Sequence, residues 1–465
     1  MDLAGTSTDA SEQEDSGNGK DYKPSQWFFN KEVLSSMLLM AASVAAVVIA
    51  NSSLSHHYEH WLHFEISIFF GQLKISHSLL HWINDGLMAL FFFTVGLEIK
   101  REVMVGELAS PKLAMLPVIA AGGGMIVPGV IYAALNWGQP GMAGWGIPVA
   151  TDIAFSLGAI ALLGKKLPVG LRIFLTAFAI ADDLGAVLII ALFYTKNIAV
   201  PYLIASAVCL LILLIANLMW VRWLPFYIVM GVAMWICVMG SGVHATVAGV
   251  VVAMLVPARG KYNPIRFVKK VQGIVDNMKM DRYVDNFWYS IFIKPEHLNS
   301  VHALSLACQN LETPLQRLEH ALHPWVVFAI LPLFAFFNAG LSLHDISFAS
   351  AIAEPIALGC ILGLVFGKPI GITLASFWAV KTGIAALPEN VRWAHIAGAG
   401  MLGGIGFTMS LFISGLSFVD PHYLNFSKLG VLSGSILSAL GGLLFLAVVA
   451  AREGKVYQEG EPAVS

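Results

Sequence analysis

The chain has 465 residues, of which 57% are hydrophobic and only 12% charged, and its formal net charge is −2. Soluble domains carry about 45–50% apolar and about 25% charged residues, so with a mean hydropathy of +0.74 this composition is that of a protein built for lipid. The near-neutral charge says nothing about nucleic acid, and no basic cluster interleaved with aromatics suggests such a partner, so none is expected.

The chain opens on MDLAGTSTDASEQEDSGNGK, which is polar and acidic. It lacks the basic start and apolar stretch of a signal peptide, and residues 1–32 read as a disordered cytoplasmic tail. A spanning helix needs roughly 20 mostly apolar residues. Such runs lie near 33–50, 80–98, 113–135, 146–164, 170–195, 200–218, 224–240, 242–257, 323–342, 351–379, 393–416 and 428–450, with only a Gly-Ser-Gly hinge between the seventh and eighth. The fold class expected is therefore an all-α integral membrane protein of about twelve transmembrane helices. An even count puts both termini on one side. With the N-terminus inside, 23 of the 27 lysines and arginines fall inside, while Lys74, Lys196 and Lys428 fall outside and Lys368 lies within a span. Positive charge marks the cytoplasmic side, so both termini are expected there, on a multi-pass protein. Eight spans then occupy 33–257, a cytoplasmic loop 258–322, four more spans 323–450, and a cytoplasmic tail 451–465.

Outside the spans, FEISIFFGQLKIS alternates apolar and polar residues around Gly71 and predicts an extracytoplasmic β-hairpin near 64–76. The 258–322 loop is longer than a turn needs. Within it Phe267, Val271, Ile274 and Met278 share one helical face, with Arg266, Lys269 and Lys270 elsewhere, as in a basic amphipathic helix at the cytoplasmic surface. Thr313 and Pro314 carry the signature of a helix start, with Leu315, Leu318 and Leu322 as its apolar stripe. The four cysteines have no paired spacing and read as small buried hydrophobes.

Ionisable residues inside spans are few: Asp85, Asp152, Asp182, Asp183 and Lys368, with Glu98 and Glu354 near span ends. Burial of such a group costs at least about 2.5–3.5 kcal/mol, so each is a functional hypothesis. Consecutive helical residues point about 100° apart. Asp182 and Asp183 therefore cannot face one partner, yet both can border one cavity. Desolvation and a like-charged neighbour favour the protonated carboxyl, and a close pair titrates as a unit. The same oxygens are hard ligands for a small cation. A site that takes protons or a cation, but not both together, is the chemical core of an exchanger.

Backbone supplies a second clue. GIPVATDIAFSLG places Thr151 and Asp152 mid-span after Pro148, and GAGMLGGIGFTMS places Gly398, Gly400, Gly403, Gly404 and Gly406 mid-span. Non-helical backbone at membrane depth is tolerated only where protein covers it or it lines a cavity, and interrupted segments in two halves of a chain point to a transporter's binding site. DIAFSL at 152–157 resembles GIGFTM at 404–409, small residues facing small and apolar facing apolar, with Asp152 set against Gly404; short apolar matches of this kind also arise by chance. The glycines fit close helix packing equally well.

The chain resembles the NhaA-type sodium/proton antiporters of bacterial inner membranes. FFFTVGLEIKRE, ATDIAFSLGAIALLG, AIADDLGAVLIIALFYT, SGVHATVAGV, LEHALHPW, LPLFAFFNAG, GKPIGI and GGIGFTMSLFI carry the resemblance, in order, over roughly residues 30–450. It implies an inverted-repeat transporter fold in which the breaks at Thr151–Asp152 and Gly404–Gly406 are two unwound helices crossing at the midplane. Asp183 would be the primary sodium and proton ligand and Asp182 a partner of Lys368. Asp152 would balance the positive half-helix ends and Lys368 the negative ones. The resemblance also implies electrogenic export of sodium, and possibly of lithium, for more protons. Such exchange would serve pH and sodium homeostasis and be switched on at alkaline pH with Glu98, Glu319, His320 and His323 involved. The hairpin would hold a homodimer, and no cofactor is expected. From the residues alone, Lys368 also fits a structural pair, His320 and His323 ordinary surface histidines, and His244 a packed one. The 258–312 stretch is longer than the family's short connection. Two rival classes stay in view. An intramembrane aspartic protease would need its acids on separate helices, and a cation channel would favour rings of acids or carbonyls in a symmetric pore.

Overall fold

Apolar runs that leave water must satisfy their own backbone, which helices do. The computed structural model of the protein describes residues 24–70, 73–195, 198–258, 264–277, 295–342 and 348–459. Among them, nine helices are long and apolar enough to cross a membrane, and eleven spans result if each of two bent helix pairs counts as one. The expected eighth span, 242–257, is a helix of only 11 residues, Ala245–Leu255. At 1.5 Å per residue it covers about 16 Å, roughly half a hydrocarbon core. Its end is capped from outside: Lys100 Nζ donates to the carbonyl oxygens of Met254 and Val256, each at 2.6 Å.

Three boundaries differ from the sequence reading. The first helix starts at Pro24, so residues 24–32 are helical rather than tail, and residues 1–23 lie outside the described residues. The last helix runs from Pro421 to Glu459, beyond the expected end at 450. The helix expected to cross from 323 begins at Pro314 and continues to Asn338. Thr313 explains that early start: its hydroxyl accepts from Gln316 N at 3.1 Å while its own N–H donates to Gln316 Oε1 at 3.2 Å, a reciprocal cap.

The extramembrane pieces are small. Strand β1 (Glu65–Phe70) pairs antiparallel with β2 (Leu73–Ser78) in a register running from Glu65↔Ser78 to Phe70↔Leu73. Trp82 Nε1 donates to Ile66 O at 3.2 Å and ties this hairpin to the following helix. In the long loop, Pro264–Asn277 is helical with Phe267, Val271 and Ile274 half-buried and Lys269 exposed. Met278 lies outside the described residues. Ile265 and Val268 on the same helix are exposed, so its apolar face is broader than the sequence stripe. Leu315 N donates to Pro257 O at 3.2 Å, closing the neck of the insert.

What positions the interior is close helix contact. The helices Pro111–Leu135 and Pro355–Lys381 meet at Gly123 and Gly371, where a Cβ on either residue would strike the other's carbonyl oxygen. Lys368 sits one turn before that contact, directly after a wide π turn over Gly363–Gly367. Such turns rotate the following side chains and often mark functional sites.

Candidate ion-binding site

Asp182 and Asp183 lie midway along Val169–Phe193. They, Lys368 and Thr151 have no exposed surface, and Asp152 is 2% exposed. Lys368 Nζ donates to both oxygens of Asp182, at 2.9 and 2.7 Å, and to Thr151 Oγ1 at 2.8 Å. An ammonium has three donors, and these three contacts use them all. The Thr151 hydroxyl in turn donates to Gly403 O at 2.7 Å. One lysine thus joins the Val169–Phe193 helix to both interrupted segments.

Those segments are Pro140–Val149 with Ile153–Leu162, bent by 44°, and Trp393–Gly403 with Phe407–Ser417, bent by 45°. Each break is satisfied by the other. Asp152 N donates to Ile405 O at 2.7 Å. Ser156 Oγ donates to Leu402 O at 2.9 Å and Ser410 Oγ to Ile147 O at 2.7 Å. The Asp152 carboxylate serves two helix starts at once: Oδ1 accepts from Phe155 N at 3.0 Å, and Oδ2 from Thr408 N at 3.2 Å and from the Thr408 hydroxyl. A helix N-terminus carries a partial positive charge, so one acid neutralises two of them. The opposite partial charge, on the carbonyl end at Gly403, reaches the Lys368 ammonium through the Thr151 hydroxyl. Gly404 and Gly406 have φ of −73° and −87°, which any residue could adopt. Space is their reason: a Cβ on Gly404 would strike Leu364 O, and one on Gly406 the Ser410 hydroxyl.

Asp183 is the exception. Both of its carboxylate oxygens are buried and accept no hydrogen bond from any described residue. An ionised carboxylate in that state costs several kcal/mol unless a cation or a proton meets it.

Glu98 and Glu319 come together through Arg101, which in the sequence counts only as one of the cytoplasmic charges. Arg101 ion-pairs with Glu319, with Glu102 at 2.9 Å, and with Glu98 at 3.9 Å. His320 and His323 stand on the exposed side of the same helix. Thr408 was likewise not singled out, although it lies within the quoted GGIGFTMS motif; its role as a cap donor to Asp152 depends on the neighbouring helix and has no local signal. Glu98, Glu319, His320 and His323 do not touch the Asp182–Lys368 pair. At the hairpin end, Asp85 faces His81 at 3.1 Å and His244 at 3.9 Å.

Buried acids, an ion-paired lysine and two mutually satisfied helix breaks within a bundle of apolar spans define a secondary transporter of ions. Comparison with known proteins gives the family. The profile described as "Na+/H+ antiporter 1" matches residues 26–446. The chain is 45% identical over 425 residues to the "Na(+)/H(+) antiporter NhaA 1" of Saccharophagus degradans, covering 91% of each chain. It is 45% identical over 431 residues to the "Na(+)/H(+) antiporter NhaA 2" of Syntrophotalea carbinolica, covering 93% of this chain and 98% of the relative. Identity to the "Na(+)/H(+) antiporter NhaA" of Oleidesulfovibrio alaskensis is 44% over 426 residues. The chain belongs to the NhaA-type Na+/H+ antiporter family.

The pairing generates a stability prediction. Lys368→Ala strands Asp182 in the interior and is expected to cost about 3–5 kcal/mol, whereas Lys368→Met with Asp182→Asn should recover most of that loss. Thermal unfolding of the detergent-solubilised protein reads both; equal destabilisation by the single and double variants would contradict a mutually compensating pair.

Proposed function

We propose that this chain exchanges sodium for protons across the bacterial inner membrane, with Asp183 as the primary ligand and Asp182 as the second. The observation that carries the reading is the unpartnered Asp183 carboxylate, one residue from an acid whose charge is already met by Lys368. Carboxylate oxygens suit hard cations. Sodium and a proton compete for the same oxygens, so occupation by one excludes the other and the two fluxes run in opposite directions. Lithium, a smaller hard cation, is taken as a second substrate on the same argument. In the membrane we count twelve spans, the short Ala245–Leu255 helix among them, with both termini cytoplasmic as the lysine and arginine distribution favours. The two bent segments cross near the midplane, where Asp152 balances the helix starts and Lys368 the helix ends. This exchange serves pH and sodium homeostasis.

The Asp183 assignment is tested by Asp183→Asn. Sodium-dependent proton flux in proteoliposomes should fall to background while the protein still inserts and keeps its native mass. Wild-type flux in the variant would falsify the assignment.

We further propose that the exchange is electrogenic. If Asp183 and the Asp182–Lys368 pair together release two protons as one sodium binds, net positive charge enters in each cycle. Each charge moved is worth about 2.3 kcal/mol per 100 mV, so an inside-negative potential drives sodium out even against a weak proton gradient. Imposing a potassium/valinomycin potential should therefore accelerate wild-type exchange. Asp182→Asn should lose this voltage response to a greater degree than it loses exchange. Flux indifferent to potential in the wild type would leave an electroneutral exchanger with a structural Asp182–Lys368 pair.

Regulation by pH is assigned to the group of Glu98, Glu319, His320 and His323, supported by the Arg101 links that join Glu98 and Glu319 across two helices. Glu319→Gln is expected to move the pH of half-maximal exchange while leaving the maximal rate within about two-fold, because the ion ligands are untouched. An unchanged pH profile would remove the group from regulation. The β1–β2 hairpin is proposed as the homodimer contact, and deleting it should halve the native mass without abolishing flux. Loss of flux from a chain that still dimerises would contradict this.

A further inference from the structure

Phe174, Phe178 and Asp182 are spaced four apart on Val169–Phe193 and so share one face of that helix. Phe178, one turn before Asp182, is only 1% exposed. The Lys368 ammonium lies 5.7 Å from the centre of its ring, within reach of a cation–π contact. Neighbouring helices make room for the ring by omitting side chains. A Cβ on Gly403 would come within 3.1 Å of Phe178 Cε1, and one on Gly124 within 3.5 Å of Cε2. Gly403 is also the residue whose carbonyl accepts from Thr151, itself the third acceptor of the lysine. The ring thus packs beside both ends of that hydrogen-bond chain.

Phe174 stacks on Phe178, with ring centres 6.3 Å and planes 20° apart, and it lines a cavity of about 1120 Å3. This cavity opens at the end of the bundle where Pro111–Leu135 and Val169–Phe193 begin. Around it stand the exposed Lys112, Lys166 and Glu389, with Arg392 and Glu453 paired at 3.4 Å. Five charged side chains make this a space for water. Its inner wall is apolar and tightly packed: Leu116 and Phe174 are each 2% exposed and Ala177 is 3%. Ala177 precedes Asp182 by five residues, about 7.5 Å of helix. In helix order, the two phenyl rings stand between the cavity and the lysine's partner.

An exchanger fails when a proton site is open to both sides at once, because protons then cross without the counter-ion; alternating access exists to prevent this. A narrow apolar constriction supplies the needed barrier by excluding water. The lysine tolerates such a dry cover, since Asp182 and Thr151 already take all three of its donors and no water is needed to satisfy it.

We propose that Phe178 is the seal that keeps water in this cavity from the Lys368–Asp182 pair, and so ties proton exchange at the pair to the sodium cycle. It is a positioning residue and not an ion ligand. The inference rests on the reading that the pair takes part in exchange, and it concerns only when the pair's protons can leave.

The test uses the full chain in proteoliposomes and reads proton influx driven by a potassium/valinomycin potential in sodium-free buffer, beside sodium-dependent exchange in the same vesicles. Sodium-free influx should be slow in wild type and several-fold faster in Phe178→Ala. Phe178→Met, whose side chain fills irregular apolar space, should keep it slow. If the alanine variant does not insert, Phe178→Val opens the same gap with less loss of packing. Combining Phe178→Ala with Lys368→Met and Asp182→Asn should abolish the leak, whereas a leak through misfolded protein would persist. Normal wild-type exchange with no added leak in the alanine and valine variants would overturn the seal alone. So would equal leaks in Phe178→Ala and Phe178→Met, or a leak that survives removal of the pair. Absence of sodium-dependent proton flux in the wild type would overturn the exchange reading and the seal with it.

Discussion

The Lys368–Asp182 ion pair is the contact on which the interior depends. Neither side chain has any exposed surface, and a lone charge at that depth would be prohibitive. The pair survives because all three ammonium donors are used and because the third, to Thr151, continues into a backbone carbonyl of the second broken segment. The lysine is thereby both counter-ion and strut. Its own placement follows from packing that lets the Pro111–Leu135 and Pro355–Lys381 backbones touch at Gly123 and Gly371, and from the wide turn immediately before it.

Breaking two helices inside a membrane leaves backbone groups that water cannot reach. The structure answers this by reciprocity. Carbonyls of Leu402 and Gly403 accept from hydroxyls of Ser156 and Thr151, the Ile147 carbonyl accepts from Ser410, and Asp152 accepts from both helix starts. Small hydroxyl side chains do this because they are short enough to let the segments approach, and because one oxygen can donate and accept together. The two breaks are therefore one device, stable only as a pair. Removing either partner would strand the polar groups of the other.

Against that background of satisfied groups, Asp183 is conspicuous for having none of its oxygens satisfied. The contrast between neighbours divides the labour. Asp182 is neutralised within the protein by Lys368, whereas no described residue meets Asp183. A stable fold tolerates one such group when the surrounding network is otherwise satisfied.

Much of this was legible in the amino-acid sequence. Runs of apolar residues are read directly because hydrocarbon demands about 20 of them per span, so most of the long helices lie where hydropathy puts them. The adjacent aspartates, the intramembrane lysine and the Pro- and Gly-marked interruptions stand out because each is costly in lipid. The β1–β2 hairpin was visible in its alternation and central glycine. Other features were not local properties. Hydropathy could not tell that 242–257 holds a helix of only 11 residues, since its length is set by Lys100 capping the end from another helix. That Thr408 caps against Asp152 and that Arg101 joins Glu98 to Glu319 are pairings across more than 200 positions of chain. The sequence by itself determined which residues are too polar to lie in lipid without a purpose. Only the tertiary structure decided which of them would be answered by a partner and which, like Asp183, would not, because that depends on which side chains the packing of distant helices brings within reach.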